Sequence, residues 1–545
     1  MPNNETMTTQ FPETQFAYRR VPDQDAAVPA RHPVVIAGAG PVGLSLAVDL
    51  ARRGVASVVL DDSDRIGAGS RAICFAKRTL EIFDRLGIGD RALAKGVQWQ
   101  VGKVFHGDRL LYQFDLLPER GHKMPAFINL QQYYAENYLI DRAHELPGID
   151  LRWRNRLTGL TPLAGQVALT IETPDGPYPL QADWVVACDG ARSAARGLLG
   201  LDFLGERFED QFLMADVNMT APFPTERWFW FEPPFHPGQS ALLHKQPDDI
   251  WRIDLQLSPD ADPEHERRPE MVRPRIARML GHDDFSLDWI SIYRFQCRRL
   301  EKMLHGRVIF AGDAAHRVSP FGARGANSGI QDADNLGWKL AAVLAGDSPV
   351  RLLESYDSER TAAAIENIGY STRATDFIAP RSEAERVLRN AVLALASTCD
   401  FAKRMVNSGR LSTATAYPSS PLSTPDDVTW EGGPSPGTVV PDVPLENATG
   451  QRRFLSEILP SRFVLLGAGP VTADLIPSGL AALSIGGDQQ WRDAEGLFAR
   501  RFAITPGCAY LMRPDTHVAA RFHRLDTASA QTRLREAMVR AQGGA

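Results

Sequence analysis

The chain has 545 residues, more than one hydrophobic core organises, so two to four domains are expected. An apolar fraction of 44% and a charged fraction of 23% are those of an ordinary globular protein, and a net charge of -6 without a long Lys/Arg block argues against a nucleic-acid partner. The five scattered cysteines, Cys74, Cys188, Cys297, Cys399 and Cys508, form no C-x-x-C pair, which argues against a structural zinc site or a dithiol centre and for buried thiols in a reducing compartment. No apolar run approaches about eighteen residues and the polar opening lacks a signal-peptide core, so a cytoplasmic, non-membrane protein is expected.

After the polar first thirty residues, "VVIAGAGPVGLSLA" reads as a buried strand feeding a helix, with Gly38, Gly40 and Gly43 in G-x-G-x-x-G. Gly38 permits the tight turn, Gly40 lets the backbone approach a pyrophosphate, and Gly43 lets the helix lie close on the strand. Pro41 suits the first helical turn, where its missing N–H costs nothing. The helix is expected to end near Gly54; the strand in "ASVVLDD" then brings in Asp61, placed to accept the ribose hydroxyls of an adenosine. NAD and FAD both fit this unit.

A helix in "AKRTLEIFDRLGI" follows, and the segment from about 125 to 200 ends in the strand "ADWVVACDG". From about 201 to 294 the text changes to alternating strands, including "SALLHKQ", a turn at "PDD" and "IWRIDLQL", so a sheet-rich insert interrupts the dinucleotide unit. The unit resumes with a strand at 308–310, then Gly312 and Asp313, a loop with Pro320, Gly322, Gly325 and Asn327, and a helix from about Ser328. Asp313 at a strand end suits a polyol chain, and N–H groups at the helix start suit negative charge on a ring edge; a flavin uses both, a nicotinamide dinucleotide neither. Residues 411–450, dense in Ser, Thr, Pro and Gly, read as a solvated linker. Beyond them lies a small α/β domain with strand-like "RFVLLGAG", "FAITPG" and "CAYLMRPDTHVAARF" and a terminal helix. "LLGAGPV" echoes the opening motif, but Thr472 replaces the third glycine, and the stretch is read as a turn.

"GAGPVG", "ADWVVACDGARSAAR" and "GRVIFAGDAAH", in this order and spacing, resemble the three fingerprints of the class A flavoprotein monooxygenases, the para-hydroxybenzoate hydroxylase-like family. The tail "YLMRPDTHVAARF" is similar to the thioredoxin-like C-terminal domain of the phenol hydroxylase, 3-(3-hydroxyphenyl)propionate hydroxylase and polyketide hydroxylase branch, without redox cysteines. The resemblance implies an α/β protein with a Rossmann-like FAD-binding domain (31–98, 125–200 and 295–375) interrupted by a β-sheet-rich substrate domain (99–124 and 201–294). A polar N-terminal extension (1–30), a helical connection (376–410), the linker (411–450) and a thioredoxin-like domain (451–545) complete it.

It further implies tightly bound, non-covalent FAD, NAD(P)H as a transient co-substrate, and insertion of one oxygen atom of O2 into a phenolic or polycyclic aromatic substrate through a flavin C4a-hydroperoxide. A homodimer stays open. By resemblance, Gly38, Gly40, Gly43 and Asp61 hold the ADP half, Arg71 meets the pyrophosphate, Gln132 lies along the cofactor, and Asp189 serves FAD and NAD(P)H. Gly312 and Asp313 hold the ribityl chain, Pro320 faces the isoalloxazine, and backbone groups of Gly325, Ala326 and Asn327 meet its pyrimidine edge. Arg252 falls where the family places an arginine that handles the moving flavin, while Arg196 and Gln132 also read as ordinary surface or paired residues, and His316 as a packed histidine.

Ionising a phenol of pKa near 10 at pH 7 costs about 4 kcal/mol, so the site needs a base or convergent hydrogen bonds. Tyr293, just before the return to the dinucleotide unit, is the preferred candidate; His106 and His244 are others. Strand alternation puts Trp228 and Trp230 of "RWFWFEPPFHPG" on one face, either an aromatic wall for a planar substrate or plain sheet packing. A flavin-dependent halogenase, an FAD-dependent dehydrogenase or reductase, and a non-catalytic flavin-binding protein are the competing readings.

Overall fold

A computed structural model describes residues 15–67, 72–221, 223–406, 411–469, 476–477, 480–486 and 490–544. In the first sheet five strands run parallel, in the spatial order 308–310, Gly176–Ala187, Ala30–Ala37, Ser57–Asp61 and Ile149–Trp153. The strand segments Val34–Ala37 and Val58–Leu60 are fully buried, with the helices Pro41–Arg52 and Gln132–Glu145 packed against the sheet. The helix Pro41–Arg52 lies on one side against Gly325–Ala345. Parallel order sends the loops after Ala37, Asp61, Ala187 and Phe310 off one edge, which gathers the sequence motifs.

The insert is an eight-stranded sheet in the order His316–Arg317, Ser286–Arg299, Leu204–Asn218, Ile250–Leu257, Ser240–Lys245, Arg227–Phe231, Val101–His106 and Arg109–Asp115. Its two faces bury different cores. Leu213, Trp230, Leu243 and Ile253 pack outward under the helix Pro269–Leu280, whereas Phe212, Phe229, Phe231 and Phe295 pack inward with Phe321 and the helices Leu352–Ile378 and Glu383–Ala396. A three-stranded sheet, Cys74–Ala76, Phe127–Asn129 and Val97–Trp99, joins insert and first sheet.

The C-terminal region builds a seven-stranded mixed sheet that begins at Pro444–Asn447, with the helix Ala528–Ala541 against one face. "CAYLMRPDTHVAARF" supplies the hairpin Ala509–Met512 and Val518–Phe522. Four expectations need correction. "FAITPG" is not a strand: Phe502 caps the short helix Leu497–Arg501, and the chain turns there because Ala503 adopts positive φ. Residues 411–443 lack helices and strands, but they are only partly solvated: 425–429 are exposed, whereas Leu411, Tyr417 and Leu422 are buried and the Tyr417 hydroxyl accepts from Arg360 Nη1 at 2.7 Å. Cys399 is only half-buried, unlike the other four thiols. The LLGA part of the echo motif lies in the strand Val464–Ala468 rather than a turn, and Thr472 lies outside the described residues.

Candidate active site

Each glycine of the first motif meets a different demand. A Cβ on Gly38 would sit 2.4 Å from the Cys188 carbonyl oxygen, and one on Gly43 would sit 2.0 Å from the Gly38 carbonyl oxygen, so both are required by the protein's own packing. Gly40, at the helix N-cap, has nothing within 4 Å. That open cradle faces a helix N-terminus whose first N–H groups lack intrahelical acceptors, the arrangement a pyrophosphate fits. Asp61 Oδ2 accepts from Ala39 N at 2.7 Å and Oδ1 from Ser63 N at 2.9 Å. Each oxygen keeps a further lone pair for a ribose hydroxyl. Burial raises the Asp61 pKa despite those two bonds.

On the neighbouring loop, burial raises the pKa of Asp189, whose Oδ2 accepts from Ala195 N at 3.0 Å while the buried Oδ1 has no partner among the described residues. Such an orphaned buried acceptor calls for an external donor. Arg196 ties this loop to the Asp313 turn, donating to Ala191 O at 2.9 Å and Ala314 O at 3.1 Å with its guanidinium 4.0 Å over Phe203. Asp313 is exposed on the one-turn helix Gly312–Ala314. The turn is held from below: Asp332 Oδ2 accepts from Gly312 N at 2.8 Å and from His316 Nε2 at 2.7 Å, and Oδ1 from Arg360 Nε at 2.5 Å. Burial opposes ionisation of Asp332, but His316 and Arg360 more than offset it and hold its pKa low. His316 is therefore a packed histidine, as read.

The long helix starts at Gly325, three residues before the expected start, with Ser328 N→Arg324 O, 2.7 Å, as an early helical bond. Gly325, Ala326 and Asn327 thus form the first turn, whose N–H groups have no acceptor within the helix. The Asn327 side chain is spent on structure: its Oδ1 accepts from Ala76 N and Thr79 Oγ1, and its Nδ2 donates to Cys74 O and Ala323 O. Pro320 opens the turn just before this helix, Pro320 O accepting from Ala323 N at 3.0 Å. Gln132 begins the helix Gln132–Glu145, its Oε1 accepting from Ala72 N at 3.0 Å and its Nε2 donating to Glu136 at 2.8 Å. Arg71 lies outside the described residues.

Above this edge stands the inner face of the insert sheet. Arg252 is buried and grips Asp216 through two 2.7 Å bonds, with Trp289 5.1 Å from its guanidinium. Tyr293 lies opposite Phe212 on the same face, its ring 5.5 Å from Phe295. His244, beside Arg252 in register, is buried with Nδ1 3.9 Å from Cys74 Sγ and Nε2 4.0 Å from Asp254; burial lowers its pKa to about 4. His106 ends its strand opposite Phe231, half-buried. Trp228 and Trp230 do share a face, T-shaped at 5.7 Å, but it is the outer one, so they are sheet packing; the inward aromatics are Phe229 and Phe231.

Sequence reasoning missed the acids. Asp216 and Asp254 fall on the inner face in register with Arg252 and Leu242, and Asp288 is pushed up to about 6 by burial and the Asp216 charge. The available signal was alternation: Asp216 interrupts the apolar run from Phe212 to Val217, and Arg252 and Asp254 alternate with Trp251, Ile253 and Leu255, and such letters face a site when the other side of the sheet is already covered.

A family model described as FAD binding domain matches residues 31–369. A flavin-dependent monooxygenase of Mycobacteroides abscessus is 33% identical over 363 residues, 62% of this chain and 73% of that protein. A 12-dehydrotetracycline 5-monooxygenase/anhydrotetracycline 6-monooxygenase of Streptomyces rimosus is 31% identical over 509 residues, 90% of this chain and 95% of that one. The crystal structure of the flavin-dependent monooxygenase PieE in complex with FAD and substrate shares the fold with a TM-score of 0.81 at 23% identity, covering 95% of this chain and 100% of that chain. The chain belongs to the FAD-binding-domain family, and the open cradle at Gly40, the orphaned Asp189 oxygen and the unpaired first turn at Gly325 fit FAD. Within that family it is a flavin-dependent monooxygenase.

Proposed function

We propose that this protein hydroxylates a phenolic, polycyclic substrate: phenol + NAD(P)H + H+ + O2 gives the hydroxylated phenol + NAD(P)+ + H2O. FAD, when bound, carries the two electrons from the nicotinamide and delivers one oxygen atom. The observation that carries the reading is the inner sheet face, where Phe212, Phe229, Phe231 and Tyr293 stand with ionisable groups beside the strand Cys74–Ala76, which Asn327 bonds to the flavin-edge helix. Resemblance over 95% of the tetracycline enzyme's length favours a multi-ring substrate.

In this reading Gly38, Gly40, Gly43 and Asp61 hold the ADP half, with Arg71 at the pyrophosphate. Gln132, Asp189, Gly312 and Asp313 line the middle of the cofactor, and Pro320 with Gly325, Ala326 and Asn327 meets the ring system. Arg252, fixed by Asp216, supplies a standing positive charge rather than a mobile arm. The phenol proton needs an acceptor: neutral His244, with a pKa of about 4, is a weak one, so Tyr293 on the inner face is the better supported hydrogen-bond partner, while Asp288, pushed up to about 6, lies about 16 Å further along the same strand and serves only a more distant part of the site. The aromatic surround excludes water from the reacting atoms. The mixed C-terminal sheet with its lone Cys508 supports a thioredoxin-like domain in a structural role, and five free thiols support a cytoplasmic setting. The homodimer is checked by sedimentation.

A panel of hydroxybenzoates, hydroxyphenylpropionates and polycyclic phenols, scored for stimulated NAD(P)H oxidation against hydrogen peroxide release, tests the reading. Coupled oxidation with a polycyclic phenol is expected. NAD(P)H oxidation indifferent to every phenol, with all oxygen released as peroxide, favours the reductase reading instead.

A further inference from the structure

One corner of the inner sheet face is unused by the roles above. Arg227 is 7% exposed, and among the described residues its side chain makes no hydrogen bond or ion pair, while its guanidinium nitrogens keep some solvent contact. A guanidinium carries five donors, and a buried one without acceptors is costly unless a ligand supplies them. Its strand pairs Trp228 with Leu243, so Arg227 stands one step along, beside His244, and on the face of Phe229 and Phe231. His244 Nε2 and Asp254 Oδ1 are also buried without hydrogen-bond partners. The titratable groups facing Arg227 are Asp254 and Cys74, and Cys74 is a neutral thiol whose pKa burial raises to about 11.

The unfilled valences are therefore mixed: donors on Arg227, an acceptor on Asp254, and an imidazole nitrogen able to serve as either. A ligand carboxylate pairs with Arg227 but meets the Asp254 charge. A carbonyl beside a hydroxyl satisfies both, accepting from Arg227 and donating to Asp254. We propose that Arg227, Asp254 and His244 form a specificity corner that recognises a neighbouring carbonyl and hydroxyl on an uncharged polycyclic substrate, and discriminates against phenylalkanoates. This rests on the aromatic-hydroxylase reading and names the substrate class of that site.

The test is equilibrium binding to the FAD-loaded enzyme, read from the flavin absorbance change. The probes are 1-hydroxyanthraquinone, 1-methoxyanthraquinone and 3-(3-hydroxyphenyl)propionate. The wild type is expected to prefer the hydroxy over the methoxy compound at least ten-fold. Arg227→Met and Asp254→Asn should each reduce that preference to within three-fold, and Asp254→Asn should bind the carboxylate probe at least three-fold more tightly. FAD content and Tm report folding, and Arg227→Lys, which keeps the charge but not the fork, provides a milder variant with partial loss. An unchanged preference in the folded Arg227 and Asp254 variants, or a wild type that binds the carboxylate most tightly, overturns the proposal. Failure of hydroxylation is separate: it appears as absent oxygen incorporation while the binding preference persists.

Discussion

The two faces of the insert sheet are written in alternate letters of the same strands, yet they differ in kind. Outward letters such as Trp228, Trp230, Leu243 and Ile253 make an apolar layer under a helix, whereas inward letters include Arg227, His244, Asp216, Arg252 and Asp254 among phenylalanines. The outer face stabilises; the inner one places unpaired valences and paired charges beside the strand Cys74–Ala76. Stability and chemistry are thus separated by one residue of register, and a slip of one position would exchange them.

That separation is open to attack, beginning with its costliest element. Asp216→Ala strands the buried Arg252 charge and is expected to cost about 3–5 kcal/mol in urea unfolding, with loss of turnover. Trp230→Ala, on the outer face, is expected to cost a similar ~3–5 kcal/mol but to leave substrate Kd within two-fold, whereas Phe231→Ala should weaken substrate binding as well. A large change in substrate Kd for Trp230→Ala would break the comparison.

Gly40→Ala sharpens it within the cofactor cradle. Its Cβ meets open space, so the Tm of the FAD-free protein should not move, while FAD affinity falls at least ten-fold, or about 1.4 kcal/mol. Gly43→Ala, whose Cβ would strike the Gly38 carbonyl, should lower both. A last effect is pH-dependent and vanishes at neutral pH. Burial holds His244 down at about 4 against 6.5 when unfolded, so the unfolded chain takes up a proton that the folded one refuses. Its contribution is intact above pH 6.5 and lost progressively as pH falls toward 4, and His244→Gln should flatten that part of the stability profile.

The cradle was legible because its geometry is local: Gly38, Gly40 and Asp61 are set by one strand, one turn and the next strand, and the sequence carries all three. The start of the Gly325 helix was misplaced because glycines at its first turn read as loop until a ligand-binding edge explains them. The tryptophan pair stayed open between two readings, and the linker was misjudged, for a different reason. Alternation says which residues share a face but not what covers it, and Tyr417 gives no local sign of the distant Arg360 that draws it inside. Asp216, Asp254 and Asp288 drew no notice because acids on strands usually face solvent.

The central claim is that one oxygen atom of O2 enters the phenol. With a polycyclic phenol, NAD(P)H and 18O2, mass spectrometry should find one labelled oxygen atom in each product molecule, in step with the nicotinamide oxidised. Product without label, or nicotinamide oxidation recovered entirely as labelled peroxide while the phenol is untouched, would contradict it.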